Sequence, residues 1–247
     1  MVYLVLILIG FIAGFIDTVA GGGGMITLPA YLMAGLPPHW ALGTNKLSGT
    51  LSVANAARVF IKKKIFLPQY WLPAIIATFS GGAIGSISVH FLSSGLIKKA
   101  LPAVIFTLAI YVIVPKKYQQ PDLKNYQPSK FSSSLLGSFL GFYDGFLGPG
   151  TGSFWVVALM ACYKINIIEA TAITKMMNTL SSTAALIVFI SYGNVHFALG
   201  LAVAASMMAG AYFGAHSAIR WGGALVRPLF LIIVIGIAIT LAIQTWS

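Results

Sequence analysis

Four charged residues in apolar surroundings are the first candidates for chemistry in this sequence. Asp17 and Asp144 each come shortly before a glycine-rich stretch, and Lys46 and Lys175 each lie in an otherwise apolar run. A charged side chain inside a membrane is costly, so it usually marks an ion path or is paired. For each aspartate two roles fit: coupling to protons, or capping the glycine-rich loop by accepting backbone N–H bonds.

The two lysines are followed by similar polar residues. Thr50 stands four residues after Lys46, while Asn178 and Thr179 stand three and four residues after Lys175. Residues at these spacings share one face of a helix, so each lysine gains neutral hydrogen-bonding neighbours. Two such faces directed at one cavity would attract an anion. The alternative is that each lysine extends to the membrane interface, as long cationic side chains near helix ends do.

Two glycine-rich stretches interrupt the apolar runs, at Gly21–Gly24 and Gly148–Gly152. Glycine-rich backbone at membrane depth needs partners from protein or a wet cavity for its polar groups. The apolar pieces that follow, Ile26–Ala34 and Ser153–Tyr163, are too short to cross a bilayer. If they are half-helices, their first N–H groups point into the breaks and suit an anion. The alternative is a plain loop or a tight helix crossing.

Composition assigns the chain to the membrane class. Hydrophobic residues make up 58% and charged residues 8%, whereas a soluble domain carries about 25% charged residues. The net charge of +11 fits the basic loops of a membrane protein better than nucleic-acid binding, because no basic face exists outside short loops. The single cysteine, Cys162, excludes a disulfide within the chain and a cysteine-based metal site.

The apolar runs predict an all-α polytopic membrane protein with about eight transmembrane helices. The predicted spans are Met1–Ala20, Ala41–Ile61, Trp71–Phe91, Leu96–Val114, Phe131–Leu147, Ala170–Tyr192, Val195–Ile219 and Leu225–Ala242. The polar, basic stretch 115–130 is predicted to link a first transmembrane unit, 1–114, to a second, 131–247. Each unit contains one glycine-flanked segment that is re-entrant or a half-helix.

The same motifs occur in the same order in both units. The separation in sequence between Asp17 and Asp144 is nearly the same as the separation between Lys46 and Lys175. This near-constant offset predicts two homologous repeats, which is how many secondary transporters are built. Four crossings in each unit would make the repeats parallel, and five would make them inverted. The sequence leaves both topologies open.

The first unit resembles a known family. The motifs are Gly14–Gly24 (GFIDTVAGGGG), Leu28–Ala30 (LPA), Gly35–Pro38 (GLPP) and Thr44–Ser48 (TNKLS). They resemble the sulfite exporter TauE/SafE family, and its YfcA-like branch most. The resemblance implies a multi-pass permease of the bacterial inner membrane, with a duplicated four-span unit. It also implies small sulfur oxyanions or organosulfonates as substrates, such as sulfite or sulfoacetate.

The second copy of the motif departs from the first. Pro149 and Thr151 replace glycines, and Thr174 stands where Asn45 does. The two half-sites are therefore not expected to be equivalent.

Taken together, the residues predict a secondary transporter for a small anion that works by alternating access, with a passive anion channel as the alternative. The expected partners are the anion and the lipid bilayer, without nucleic acid, metal or cofactor. An enzyme is disfavoured, because the chain has only 4 acidic residues and no candidate catalytic triad. Asp17 and Asp144 are predicted for proton coupling or loop capping. The predicted substrate-binding residues are Gly21, Gly22, Gly23, Gly24, Asn45, Lys46, Thr50, Gly148, Gly150, Thr151, Gly152, Lys175, Asn178 and Thr179.

Overall fold

The computed structural model describes residues 2–65, 68–97, 99 and 128–221, and these ranges are helical without a β-strand. The α-helices are α1 (Val2–Ala20), α2 (Gly23–Met33), α3 (Pro38–Lys62), α4 (Leu72–Val89), α5 (Lys130–Phe146), α6 (Thr151–Tyr163), α7 (Ile167–Ser191) and α8 (Phe197–Trp221). A short 3-10 helix covers Pro68–Trp71. The predicted all-α class is confirmed.

Four of these helices are long and apolar enough to cross a membrane: α1, α4, α7 and α8. The 25-residue α3 has the length of a span, but its polar residues lower its hydropathy. Helix α5 has 17 residues, about 26 Å at 1.5 Å per residue. The predicted spans Leu96–Val114 and Leu225–Ala242 lie outside the described residues, apart from Leu96, Ile97 and Lys99. So does the predicted linker, apart from its last three residues.

The two short helices start earlier than the sequence predicts. Helix α2 begins at Gly23 rather than Ile26, and α6 begins at Thr151 rather than Ser153. The first break is therefore narrower than the four-glycine stretch, and only two residues separate α1 from α2. Gly21 makes the turn possible, because its φ of 73° lies in the left-handed region that favours glycine.

Close helix packing connects helices that are far apart in the sequence. Helix α1 packs along α8, and α4 packs along α5. A Cβ atom on Gly14 would overlap the backbone of Met207 in α8, and one on Gly85 would overlap the backbone of Phe142 in α5. Glycine at these positions lets the helix backbones touch, as in membrane helix packing. Helices α3 and α7 pack against each other and support both pairs.

The distribution of polar and apolar side chains is that of a membrane protein. Phe131 and Phe139 on α5 are 79% and 71% exposed. Lys46 and Lys175, by contrast, are 3% and 1% exposed. Charged side chains inside and large apolar ones outside fit a lipid surround, in which intramembrane charges face the interior of the bundle. The buried polar side chains of α3 and α7 form the functional candidate.

Candidate functional site

The two glycine breaks lie against each other. A Cβ atom on Gly152 would lie 2.8 Å from the Cα atom of Gly21, which is closer than such atoms approach. The hydroxyl of Ser153 donates to the carbonyl oxygens of Ala20, at 2.9 Å, and of Gly21. The start of α6 is thereby fixed to the end of α1, and a side chain at either glycine would separate them.

Each lysine forms an ion pair with the aspartate that lies in the other half of the chain. The Lys46 Nζ atom is 3.1 Å from Asp144 Oδ1, and the Lys175 Nζ atom is 2.9 Å from Asp17 Oδ2. Each lysine also donates to the backbone carbonyl of its aspartate. Neither lysine reaches the membrane interface, because both are buried. The two pairs connect α3 to α5 and α7 to α1, and their four charges sum to zero.

Asp17 also binds the start of α2. Its Oδ1 atom accepts hydrogen bonds from the backbone N–H groups of Gly22 and Gly23, at 3.0 and 2.8 Å. These N–H groups lie at the positive end of α2 and have no partner within the helix. The carboxylate of Asp17 therefore holds the first break and Lys175 at once.

Asp144 has different partners. Its Oδ2 atom accepts hydrogen bonds from the hydroxyls of Ser181, at 2.7 Å, and of Ser182, at 2.9 Å. It receives no hydrogen bond from a backbone N–H group in the described part of the chain. Asp144 therefore does not cap α6, although it stands before the second break as Asp17 stands before the first.

The second break leaves backbone donors without partners. The N-cap Gly150 has φ 77°, and the Thr151 hydroxyl donates to the Gly148 carbonyl at 2.7 Å. The N–H groups of Gly152 and Ser153 have no hydrogen-bond partner among the described residues. Unpaired N–H groups at a helix N-terminus form a place for a negatively charged group.

A cavity of about 50 Å³ lies between the two breaks. A volume of this kind holds roughly three or four water-sized groups, which is the scale of a small oxyanion. Its lining residues are Asp17, Gly22, Gly24, Asn45, Lys46, Gly49, Val53, Asp144, Gly148, Gly150, Thr151, Gly152, Asn178, Ser182 and Met207.

Most of the residues predicted for the site line this cavity, and five do not. Gly21 packs on Gly152, and Gly23 donates to Asp17. Lys175 forms its ion pair with Asp17 and lies outside the lining. The hydroxyl of Thr179 donates to the carbonyl of Lys175 at 2.7 Å, within its own helix. The hydroxyl of Thr50 is buried without a partner. The predicted residues without a place in the lining are Gly21, Gly23, Thr50, Lys175 and Thr179.

One lining side chain has an unmet hydrogen bond. The Oδ1 atom of Asn178 is buried and has no partner, and the residue is 6% exposed. Its Nδ2 atom lies 3.2 Å from the position of a Cβ atom on Gly152, so the amide is next to the unpaired N-terminus of α6. A buried amide oxygen without a partner costs free energy, which a water or another hydrogen-bond donor would recover, whereas an anion would accept from the Nδ2 atom.

Four lining residues are absent from the predicted set of binding residues: Gly49, Val53, Ser182 and Met207. The internal repeat contains a signal for Gly49 and relates two of the others to each other. At the offset that relates Lys46 to Lys175, Gly49 matches Asn178, and Val53 matches Ser182. Met207 belongs to α8, and nothing in its sequence surroundings indicates a site.

The histidines of the described ranges lie apart from the cavity lining. His90 follows the end of α4 and stacks on Tyr192, with ring centroids 3.9 Å apart. Burial lowers the pKa of His90, although its hydrogen bond to the Ser86 carbonyl opposes the shift. The ring is therefore neutral near pH 7. No group of three His, Cys, Asp or Glu residues converges on a metal position within the described ranges.

Comparison with known proteins identifies the family. A family model described as Sulfite exporter TauE/SafE matches residues 6–241. The chain belongs to the TauE/SafE family. The predicted resemblance of the glycine and lysine motifs to this family is thus confirmed. The matched range includes the lining residues from both halves of the chain.

Proteins with similar sequences are named as probable membrane transporters. The chain is 37% identical to a "Probable membrane transporter protein" of Haemophilus influenzae over 92% of this chain and 89% of that protein. It is 36% identical to "Probable membrane transporter protein ORF9" of a Sinorhizobium species, over 94% and 88%. It is 32% identical to "Probable membrane transporter protein YfcA" of Escherichia coli K12, over 93% and 85%. No solved structure matches the chain. Family and names indicate a membrane transporter rather than an enzyme.

Proposed function

We propose that this protein is a secondary transporter of the bacterial inner membrane that moves a small anion by alternating access. The proposed substrate is a sulfur oxyanion or an organosulfonate, such as sulfite or sulfoacetate. The family description supports the sulfur chemistry, and the apolar helices support a multi-pass arrangement. We further propose that the two halves are homologous repeats, each with about four spans and one re-entrant half-helix, α2 or α6.

One observation carries the proposal: the cavity between the breaks gathers hydrogen-bond donors, and two of them are backbone N–H groups that lack acceptors. Gly24 and Gly152 line it, and their N–H groups have no partner among the described residues. Lys46 and the amide of Asn178 lie on its wall. Donors arranged in this way bind the oxygen atoms of an anion from several sides. The strongest of these hydrogen bonds are the charge-assisted ones, such as those that Lys46 donates.

The balance of charge in the cavity bears on coupling. Two lysines and two aspartates already neutralise one another, so an arriving anion adds an uncompensated negative charge. One proton taken up with a monovalent anion such as hydrogensulfite would restore neutrality. Of the two carboxylates at the cavity wall, Asp144 is the one with hydroxyl partners. Proton coupling through Asp144 is therefore part of the proposal, and Asp17, which holds α2, is the weaker candidate.

The size of the cavity favours the smaller of the two named substrates. A cavity of about 50 Å³ accommodates a compact anion such as sulfite, with four non-hydrogen atoms. Sulfoacetate is larger and carries two acidic groups, so it would require a wider state of the same cavity. Sulfite is thus the first substrate to test.

Transport by reconstituted protein tests the function. Proteoliposomes should take up labelled sulfite, and unlabelled sulfite on the opposite side should accelerate this uptake. Acceleration by counterflow is expected of a carrier, whereas a passive anion channel shows none. The Lys46→Ala variant should lose uptake. If that variant folds correctly and transports sulfite at the wild-type rate, Lys46 does not bind the substrate and the proposal is wrong.

A further inference from the structure

The serine pair on α7 has no counterpart at the other ion pair. Ser181 and Ser182 both donate to Oδ2 of Asp144, while Lys46 occupies Oδ1. At the repeat offset that relates the two lysines, their matches are Ser52 and Val53. The Ser52 hydroxyl donates to the Met207 carbonyl at 3.2 Å, and Val53 cannot donate.

We infer that Ser181 and Ser182 hold the Asp144 carboxylate while Lys46 exchanges it for the transported anion. This inference rests on the proposed function and names positioning residues for it. An ammonium group paired with a buried carboxylate is released only if the carboxylate keeps other partners, because an isolated buried charge is very costly. The two hydroxyls supply these partners on the oxygen atom that Lys46 does not contact.

The other pair lacks the features that exchange requires. Lys175 is 1% exposed and lies outside the cavity lining, so an anion in the cavity does not reach it. Asp17 binds the backbone of Gly22 and Gly23 as well, so its position is fixed by α2. Exchange therefore occurs at Lys46, and the Lys175–Asp17 pair stays closed throughout.

Isothermal titration of sulfite into the purified full-length protein tests the inference. Removing both hydroxyls in Ser181→Ala/Ser182→Ala should raise the Kd about tenfold, because Asp144 then competes for Lys46 without other partners. The matched control is Ser52→Ala, which removes the hydroxyl at the matching position of α3, where it donates to the Met207 carbonyl and not to an aspartate. This variant should leave the Kd within about twofold of the wild type.

Rescue by a second change separates exchange from a merely structural role. In Ser181→Ala/Ser182→Ala/Asp144→Asn, no carboxylate competes for Lys46, so the Kd should return to within about threefold of the wild type. A structural role predicts instead that the triple variant binds no better than the double variant. If the double variant does not fold, the single variant Ser182→Val is used instead, because valine is the residue at the matching position, Val53. This variant should raise the Kd about threefold.

The outcomes are distinct. Wild-type affinity in the folded double variant, or no recovery in the triple variant, overturns the exchange while the proposed transport function stands. Absence of sulfite binding by the wild-type protein counts against the proposed function, and the exchange falls with it.

Discussion

The two buried ion pairs use the same residue types at matching positions in the chain, yet their surroundings differ. Asp17 shares its carboxylate between Lys175 and the backbone of α2, and of this pair only Asp17 lines the cavity, while Lys175 lies outside the lining. Asp144 shares its carboxylate between Lys46 and two serine hydroxyls, and this pair is part of the wall. Backbone N–H groups are fixed in place, whereas hydroxyls can rotate. The comparison indicates that one pair holds the structure and the other takes part in binding.

The largest expected effect is on stability at the first pair. Asp17→Ala leaves Lys175 buried without its carboxylate counter-ion and uncaps α2, so the free energy of unfolding should fall by about 3–5 kcal/mol. Asp144→Ala should cost less, because Lys46 lies at a cavity that admits water. Thermal unfolding of both variants in detergent measures the difference. An equal or larger loss in Asp144→Ala would remove the distinction between the two pairs.

Substitution of Lys46 should mainly affect sulfite binding, and substitution of Lys175 should mainly affect stability. Lys46→Ala should weaken sulfite binding by about 2–3 kcal/mol, the scale of a charge-assisted hydrogen bond, while the protein still folds. Lys175→Ala should mainly lower the unfolding temperature, because it leaves Asp17 unpaired. Titration calorimetry and thermal unfolding of each variant test this split. The account fails if Lys175→Ala retains full stability but loses sulfite binding.

Two glycines of the lining should respond in opposite directions to alanine. Gly152→Ala forces the touching breaks apart and should cost about 1–3 kcal/mol, as overpacking does. Gly49→Ala is the control, because a Cβ atom there meets nothing within 4 Å. In helix α3 it should be neutral or stabilising by up to about 1 kcal/mol. The melting temperatures of Gly152→Ala and Gly49→Ala test this difference. If Gly49→Ala is destabilised as well, the contact between the two breaks does not explain the loss of stability in Gly152→Ala.

The smallest effect is expected at Asn178. Asn178→Ala removes a buried amide oxygen that lacks a partner, so stability without substrate should hold or rise slightly. Sulfite binding should weaken by about 0.5–1.5 kcal/mol, the usual value of one hydrogen bond. Unfolding and titration together report both quantities. Loss of stability with unchanged binding would assign Asn178 to the fold alone.

The sequence alone predicted the class of the protein and most of the cavity lining. Low charge content and long apolar runs indicated membrane helices, and the offset between Asp17 and Asp144 pointed to two related breaks. The crossed ion pairs were not predictable, because Lys46 and Asp144 are 98 residues apart and meet only through helix packing. The same holds for Lys175 and Asp17, 158 residues apart.

Side-chain direction was the second limit of the sequence. Thr179 shares a helix face with Lys175, but its hydroxyl satisfies a carbonyl one turn earlier, as threonines in helices often do. Helical spacing identifies which residues share a face, but it does not show which neighbour their polar atoms contact.

The most direct test of the central claim is the position of a bound anion. Selenite has the shape of sulfite and scatters X-rays anomalously, so a crystal structure of the wild-type protein with selenite would locate it. The account predicts a selenium peak between Gly24 and Gly152, with an oxygen atom within hydrogen-bond distance of Lys46 Nζ and of the Asn178 amide. A peak elsewhere on a protein that binds selenite, with the Lys46–Asp144 pair intact, would contradict it.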